Sequence, residues 1–476
     1  MLEMQGVLPS LSYLGIAGRL RTDAGPCIPV RSYPSGNAGD SRFLSEKKLK
    51  TAAVVTLGCP MNQVDSESIM SGLVSRGFEL VPETDARVIV VNTCGFLEDA
   101  CRESIDTILE LAELKASGNL ERLVVAGCLA QRYPDDLGRE LPEADAIVGL
   151  DERGGIAGLC ESLLGFSDPG PDVFSRVVSG PAHSAYLKIA EGCDNRCTYC
   201  TIPSIRGPYR SRPVEEILED AGSLVELGAR ELILIAQDTT CYGKDGGPPL
   251  EELLDRLQVF EGLEWVRIMY THPDHFTDFL VEAVSGNPKV IPYLDIPVQH
   301  FSGRVLRRMG RKGGPDRLHR LLENLREKIP GLVLRTSLIV GFPGETERDF
   351  EELMDFVEDV RFERLGAFKF SPEEGTPAAR LPGAVPAEVA SARYDRLMEV
   401  QSGIIRAFHD SLIGREFRMI IDEIDEASHA VRGRTYMDAP DVDCTVSVFV
   451  DTPPVEEFMK IKIVSAGFYD LVAQPL

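Results

Sequence analysis

Apolar residues in this chain come in two rhythms, and their order along it predicts the architecture. From residue 51 onward, short runs at 52–57, 88–92 and 123–126 are apolar without alternation, as strands buried on both faces are. Each is followed by a stretch with apolar positions at helical spacing, near 65–76, 98–115 and 131–141. Strands alternating with helices predict a parallel α/β sheet, whose ligands bind beyond the carboxyl ends of the strands. The rhythm resumes with six strand candidates at 185–190, 231–237, 265–270, 292–296, 333–340 and 364–370. Helical patterns such as 214–227, 250–257 and 349–360 separate them. These βα units predict a partial (β/α) barrel with its site at the C-terminal strand ends. Past residue 414, apolar and polar residues alternate at 417–421, 445–450, 459–464 and 469–472, the period of strands in a small all-β barrel.

The punctuation between these regions predicts the boundaries. Residues 1–48 are rich in Gly, Pro, Ser and Arg without sustained periodicity and read as a disordered extension. The first α/β domain then spans 49–164, a Pro-, Gly- and Ser-rich linker 165–184, the barrel 185–371, a linker and long helix 372–413, and the β barrel 414–476. No run approaches the roughly 18 uninterrupted apolar residues of a membrane span. The start lacks the basic, apolar and small-residue regions of a secretory signal, so a cytoplasmic location is the expectation.

Charge narrows the partners. The chain carries a formal charge of −25, and its last 63 residues hold six basic against twelve acidic residues. Non-specific binding to phosphate backbones needs clustered Lys and Arg, so a basic protein partner suits this chain better than a nucleic acid. The eleven cysteines are an odd count in a long chain without a signal. That composition favours metal or redox chemistry over a disulfide framework.

Six of those cysteines have a telling placement. Cys193, Cys197 and Cys200 form a C-x3-C-x2-C loop after the first barrel strand. Cys59, Cys94 and Cys128 stand singly, each one to three residues past a strand of the first domain, where a parallel sheet brings distant residues to one edge. An iron–sulfur cubane binds four ligands, usually thiolates, so three cysteines leave one iron open. A structural zinc site would want about four donors, and no histidine lies near the C-x3-C-x2-C loop. An open metal position points to an enzyme; a scaffold that docks on a partner has no use for one.

With Tyr199 before its last cysteine, the loop resembles the radical S-adenosylmethionine superfamily. There the open iron is chelated by S-adenosylmethionine, whose reductive cleavage yields a radical that takes hydrogen from unactivated C–H bonds. The strings Leu57-Gly58-Cys59-Pro60-Met61-Asn62, Asn92-Thr93-Cys94-Gly95-Phe96 and Ala126-Gly127-Cys128-Leu129-Ala130-Gln131 look like the N-terminal domain of the methylthiotransferases. The tail looks like a TRAM domain. This resemblance implies two 4Fe–4S clusters, one on each cysteine triplet, with S-adenosylmethionine, an unidentified electron donor and a sulfur source.

Within that family the sequence resembles the branch that modifies ribosomal protein S12 at an aspartate β-carbon, giving 3-methylthioaspartate. The strings that carry this are Ile202-Pro203-Ser204-Ile205-Arg206-Gly207 and Tyr293-Leu294-Asp295-Ile296-Pro297-Val298-Gln299-His300, with Pro60 after Cys59 and Gly95-Phe96 after Cys94. Met61 departs from that branch, which more often shows Lys there. The alternative is modification of a tRNA adenosine, although the acidic tail speaks against nucleic acid as the primary substrate.

Further candidates surround the clusters. Tyr199 would lie against the adenine of the cofactor or pack the loop. Gln237, ending the second barrel strand, is a candidate hydrogen-bond donor to the cofactor or a polar strand cap. Arg335 and Ser337 share one face of the fifth strand by the two-residue period. A charge in so apolar a strand needs a partner, which a carboxylate in the lumen would supply, so Arg335 is a candidate contact to cofactor or substrate. Gly341-Phe342-Pro343-Gly344-Glu345 leads into a helix that Thr346 is placed to cap, with Asp349 three residues on. His272, His275 and His300 follow strands without an evident ligand set, and Cys27, Cys101, Cys160, Cys241 and Cys444 have no cluster context.

Overall fold

The computed structural model describes residues 49–166, 177–425, 427–452, 454–467 and 469–476. The expected extension 1–48 with Cys27, residues 167–176 of the expected linker, and Glu426 lie outside them. The chain forms two compact units that part between Val177 and Val178.

The first unit runs β1 (Thr51–Thr56), α1 (Pro60–Ser75), β2 (Glu79–Leu80), β3 (Val88–Thr93) and α2 (Glu98–Ala116). It continues with β4 (Arg122–Gly127), α3 (Cys128–Arg132), α4 (Pro134–Glu140), β5 (Ala146–Val148) and α5 (Ile156–Leu163). The sheet order is β2-β1-β3-β4-β5 and every neighbouring pair is parallel. All six residues of the central strand β3 are buried, because helices cover both faces. Ile89 and Val91 face Ile108, Leu111 and Leu129, while Val88 and Val90 face Ile69, Leu73 and Ile156. The helical stretch expected at 131–141 is broken in two at Pro134. Proline offers no N–H and turns Tyr133 out of the helical region, to φ −133° and ψ 50°.

In the second unit β6 (Ser184–Lys188) and β7 (Ala190–Glu191) lead through the cysteine loop to α6 (Ile202–Arg206), β8 (Arg210–Ser211) and α7 (Val214–Glu226). Then follow β9 (Glu231–Ile235), α8 (Leu250–Leu257), β10 (Trp265–Ile268), α9 (Asp278–Gly286) and β11 (Val290–Asp295). The barrel ends with α10 (Gly303–Arg308), α11 (Gly314–Lys328), β12 (Val333–Val340), α12 (Glu347–Val360) and β13 (Arg364–Lys369). Its six-stranded sheet, ordered β6-β9-β10-β11-β12-β13, is parallel throughout, so all six C-terminal strand ends share one rim. Thr346 and Asp349 form the expected capping box at the start of α12.

The long helix α13 (Ala387–Leu412) packs on β13 and leads to β14 (Glu416–Asp425), β15 (Ala430–Arg434), β16 (Val446–Phe449), β17 (Phe458–Ala466) and β18 (Leu471–Pro475). These five strands close into a barrel ordered β14-β15-β16-β18-β17. Among the described residues no helix is long and apolar enough to cross a membrane.

Buried ion pairs join the two barrels of this unit. Arg434 of β15 reaches Glu231 of β9 at 2.8 Å, and Arg267 of β10 reaches the same carboxylate at 2.8 Å. Arg364 of β13 meets Asp438 at 2.6 Å. Arg335, expected to face a cofactor or substrate, is held at 2.9 Å by Asp295 of β11 and at 3.5 Å by Asp443 beyond β15. It lies near the N-terminal start of β12, and protein carboxylates supply the partner that its burial requires. Its carboxylate partners come from the neighbouring strand and from the β barrel.

Candidate functional site

In the first unit, three loops converge. Gly58 takes φ 96°, and a Cβ there would lie 3.0 Å from the Sγ of Cys94, so the Cys59 loop and Cys94 approach at van der Waals range. Cys59 caps the N-terminus of α1 and Cys128 opens α3. Cys94 is clamped from both sides by Ser104, whose Oγ accepts from the Cys94 N–H at 3.1 Å and donates to its carbonyl at 3.0 Å.

Asn62 ties the loops together. Its Nδ2 donates to the Leu57 carbonyl at 2.8 Å and the Thr93 carbonyl at 3.0 Å, and its Oδ1 accepts the Cys128 thiol at 3.4 Å. One buried amide thus touches the strand end before each cysteine or the cysteine itself. Asn92 steadies it, donating to the Asn62 carbonyl at 2.8 Å and to Ser66 Oγ at 2.9 Å. Neither asparagine was singled out in the sequence, although Asn62 stands three residues past Cys59 on the first turn of its helix.

Burial, helped by the charges of Cys59 and Cys128, pushes the Cys94 thiol up to about 12. Thiolates so crowded and so dry are unfavourable unless a cation lies among them. The donor set therefore fits a metal cluster.

In the second unit, the C-x3-C-x2-C loop is fixed from several elements. The Cys193 N–H donates to the Gly207 carbonyl at 3.1 Å. Thr198 donates through its N–H to Met309 at 2.9 Å and through Oγ1 to Arg308 at 2.8 Å. Asn195 Nδ2 donates to Asp238 Oδ2 at 2.7 Å. The Ile202 N–H points at Cys200 Sγ from 3.4 Å, an arrangement that stabilises a thiolate ligand. Burial raises Cys200 to about 12 and Cys193 to about 11. Cys197 and Cys193 add to the shift at Cys200 through their charge. This donor set fits a cluster on the same grounds.

The neighbouring candidates fall differently. Gln237 follows β9 at the rim, and its Oε1 is buried with no hydrogen-bond partner. The free atom is an acceptor, whereas a donor was expected. Tyr199 shows a packing side: its ring meets Phe342 edge-on at 6.4 Å, and its hydroxyl accepts from Arg311 Nε at 3.4 Å. His300 is fully buried, 3.5 Å from Glu345, which in turn pairs with Arg393 of α13.

Comparison with known proteins agrees with this geometry. Residues 51–149 match the uncharacterized protein family UPF0004, residues 187–357 the radical SAM superfamily and residues 413–476 the TRAM domain. The chain is 44% identical over 445 residues to the ribosomal protein uS12 methylthiotransferase RimO of Geobacter sulfurreducens, covering 90% of this chain and 99% of that one. It is 47% identical over 434 residues to the protein of the same name from Moorella thermoacetica, covering 89% and 98%. Among solved structures, the radical S-adenosylmethionine methyltransferase TsrM from Kitasatospora setae shares the fold with a TM-score of 0.52 at 14% identity, over 69% of this chain and 77% of that one. Matched along about nine tenths of its length at 44–47% identity to relatives that it covers almost completely, the chain belongs to the RimO family of ribosomal protein uS12 methylthiotransferases, within the radical SAM superfamily.

Proposed function

We propose that this chain methylthiolates an aspartate β-carbon of ribosomal protein uS12, using S-adenosylmethionine and two 4Fe–4S clusters. The observation that carries the reading is that two separate cysteine triplets each lie past the C-terminal ends of parallel strands, which would give each cluster three protein ligands. Cys193, Cys197 and Cys200 would hold the radical-forming cluster, and Cys59, Cys94 and Cys128 the second. Loaded, the first supplies the electron that cleaves S-adenosylmethionine and so opens a C–H bond, and the second presents sulfur for methylation and transfer.

The chain's own residues position these groups. Thr198, Asn195 and Ile202 hold the loop that carries the three sulfurs. Gln237 Oε1, dry and unpartnered, is an acceptor for an ammonium group of the cofactor. Tyr199, fixed by Arg311 and Phe342, walls the adenine side. Asn62 and Ser104 set the second triplet.

Substrate choice follows from charge. Three of the six basic residues in the tail are already matched by carboxylates, Arg418 by Glu264, Arg432 by Glu423, and Arg434 by Glu231 and Asp422. What remains is an acidic surface, suited to a basic ribosomal protein and poorly suited to tRNA. The electron donor and the sulfur source are unassigned. The test is mass spectrometry of uS12 from a strain lacking this gene, where the methylthio increment should vanish. An unaltered uS12 with lost tRNA methylthioadenosine would transfer the activity to tRNA.

A further inference from the structure

We propose that Asp238, Cys241 and His275 form a binding site for one zinc ion, with His272 beside its fourth position, adjacent to the C-x3-C-x2-C loop but separate from its cysteines. The donors come from two 3₁₀ turns on the barrel rim, Thr239–Cys241 after β9 and Pro273–His275 after β10. Three residues make one 3₁₀ turn, so positions i and i+3 eclipse. The pairs Asp238-x2-Cys241 and His272-x2-His275 therefore each present two donors on one side.

The distances close. Cys241 Sγ lies 2.9 Å from His275 Nδ1, that nitrogen lies 2.7 Å from Asp238 Oδ2, and the sulfur lies 3.3 Å from the same oxygen. The donor atoms of Asp238, His272 and His275 all fall within 4.8 Å of one another. The His272 and His275 rings stack, with centroids 4.8 Å apart.

Protons account poorly for this triangle. The imidazole Nδ1 and the thiol bring at most one hydrogen each, and Asp238 Oδ2 stands within reach of both. If both hydrogens go to the carboxylate, sulfur and nitrogen face each other at 2.9 Å with none between them. A cation at the centre removes the conflict. Zinc takes sulfur at about 2.3 Å and nitrogen or oxygen at about 2.0–2.2 Å. On binding, the Cys241 thiol releases its proton to solvent and the thiolate bonds the metal. His275 binds through the Nδ1 lone pair with its hydrogen on Nε2, and Asp238 gives a carboxylate oxygen. His272 keeps Nδ1 on the Asp274 N–H at 3.2 Å, which puts its hydrogen on Nε2, so water fills the fourth position.

The surroundings suit an ion. The Asp238 side chain is 1% exposed and that of His275 25%, which gives a dry anchor with a path of entry. Thr240 Oγ1 donates to the other carboxylate oxygen at 2.5 Å, the kind of outer contact that orients a ligand. Asn195, between Cys193 and Cys197, donates to Asp238 Oδ2 at 2.7 Å. An ion here would therefore fix the position of the cluster loop.

The experiment uses cluster-loaded, full-length protein purified without oxygen, mixed with equimolar zinc chloride and desalted. Zinc and iron are counted by plasma mass spectrometry, and zinc K-edge absorption reads the neighbours of the metal. The expected result is about one zinc per chain with one sulfur and otherwise nitrogen or oxygen neighbours. Cys241→Ser and His275→Gln should each retain less zinc by about tenfold or more while keeping wild-type iron and, before zinc is added, the wild-type thermal midpoint. Zinc absent from the wild type, surrounded only by sulfur, or retained undiminished by both variants would overturn the proposal. None of these readouts depends on the substrate, so a failure here leaves the methylthiolation reading standing.

Discussion

Gly127 holds φ 96° and ψ −156° immediately before Cys128, and replacing it with alanine should unseat the first-unit triplet. That backbone region is essentially open to glycine alone, at a cost of about 1–3 kcal/mol for another residue. The added Cβ would also stand 2.3 Å from Asn92 Oδ1, 2.7 Å from the Thr93 carbonyl and 2.8 Å from the Thr93 N–H. Asn92 cannot swing away without losing its bonds to Asn62 and Ser66, and the Thr93 atoms are backbone of the central strand. Overpacking of this kind costs roughly 1–3 kcal/mol more, so the sum is about 2–6 kcal/mol, concentrated at Cys94 and Cys128. The assay is iron per chain after anaerobic reconstitution, read beside the thermal midpoint. About half the iron should be lost, since the C-x3-C-x2-C cluster is untouched. Gly118→Ala is the control: its φ is 80° but nothing lies within 4 Å of the added carbon, so only the smaller backbone penalty applies. Full iron and a wild-type midpoint for Gly127→Ala would refute the argument that these loops are packed to contact.

Four further outcomes follow from the same geometry. Asn62→Ala leaves the buried Leu57 and Thr93 carbonyls without their donor, which should cost roughly 2–4 kcal/mol in urea denaturation and lower the iron content; unchanged iron would count against Asn62 as the tie. Gln237→Ala should weaken S-adenosylmethionine binding about tenfold, measured by equilibrium titration, with the thermal midpoint kept; equal affinity would remove Gln237 from the site. His409 is buried with both ring nitrogens unpartnered, and burial, aided by Arg364, lowers its pKa to about 4. The unfolded chain then takes the proton first, so stability present above pH ~6.5 falls as pH drops toward 4, by about 2 kcal/mol at pH 5, and His409→Leu should flatten that slope in midpoints taken from pH 5 to 8. Arg364→Met strands the buried Asp438 and should cost about 3–5 kcal/mol, with much of it recovered in Arg364→Met/Asp438→Leu; no recovery in the double variant would mean that the pair is not the cause.

The sequence alone determined the elements with a local signature and the chemistry that follows from them. Strand β12 was bounded to the residue and all six central barrel strands were found, because a buried parallel strand is written in consecutive apolar residues. The cysteine loop and the three solitary cysteines were equally legible, since spacing and position after a strand are properties of the chain itself. Tertiary structure decided what depends on partners far along the chain. β15 was missed because Arg432 and Arg434 look like surface residues, whereas Arg434 is buried against Glu231, two hundred residues away, and Asp422. Arg335 was expected to meet a carboxylate, but which ones, Asp295 and Asp443, was hidden because they come from elements whose pairing no local pattern encodes. The same holds for Asn62 and for the convergence of Asp238, Cys241 and His275, each unremarkable among its sequence neighbours. Periodicity reports the surface a residue needs to cover; the identity of the group that covers it is settled only when the chain has closed upon itself.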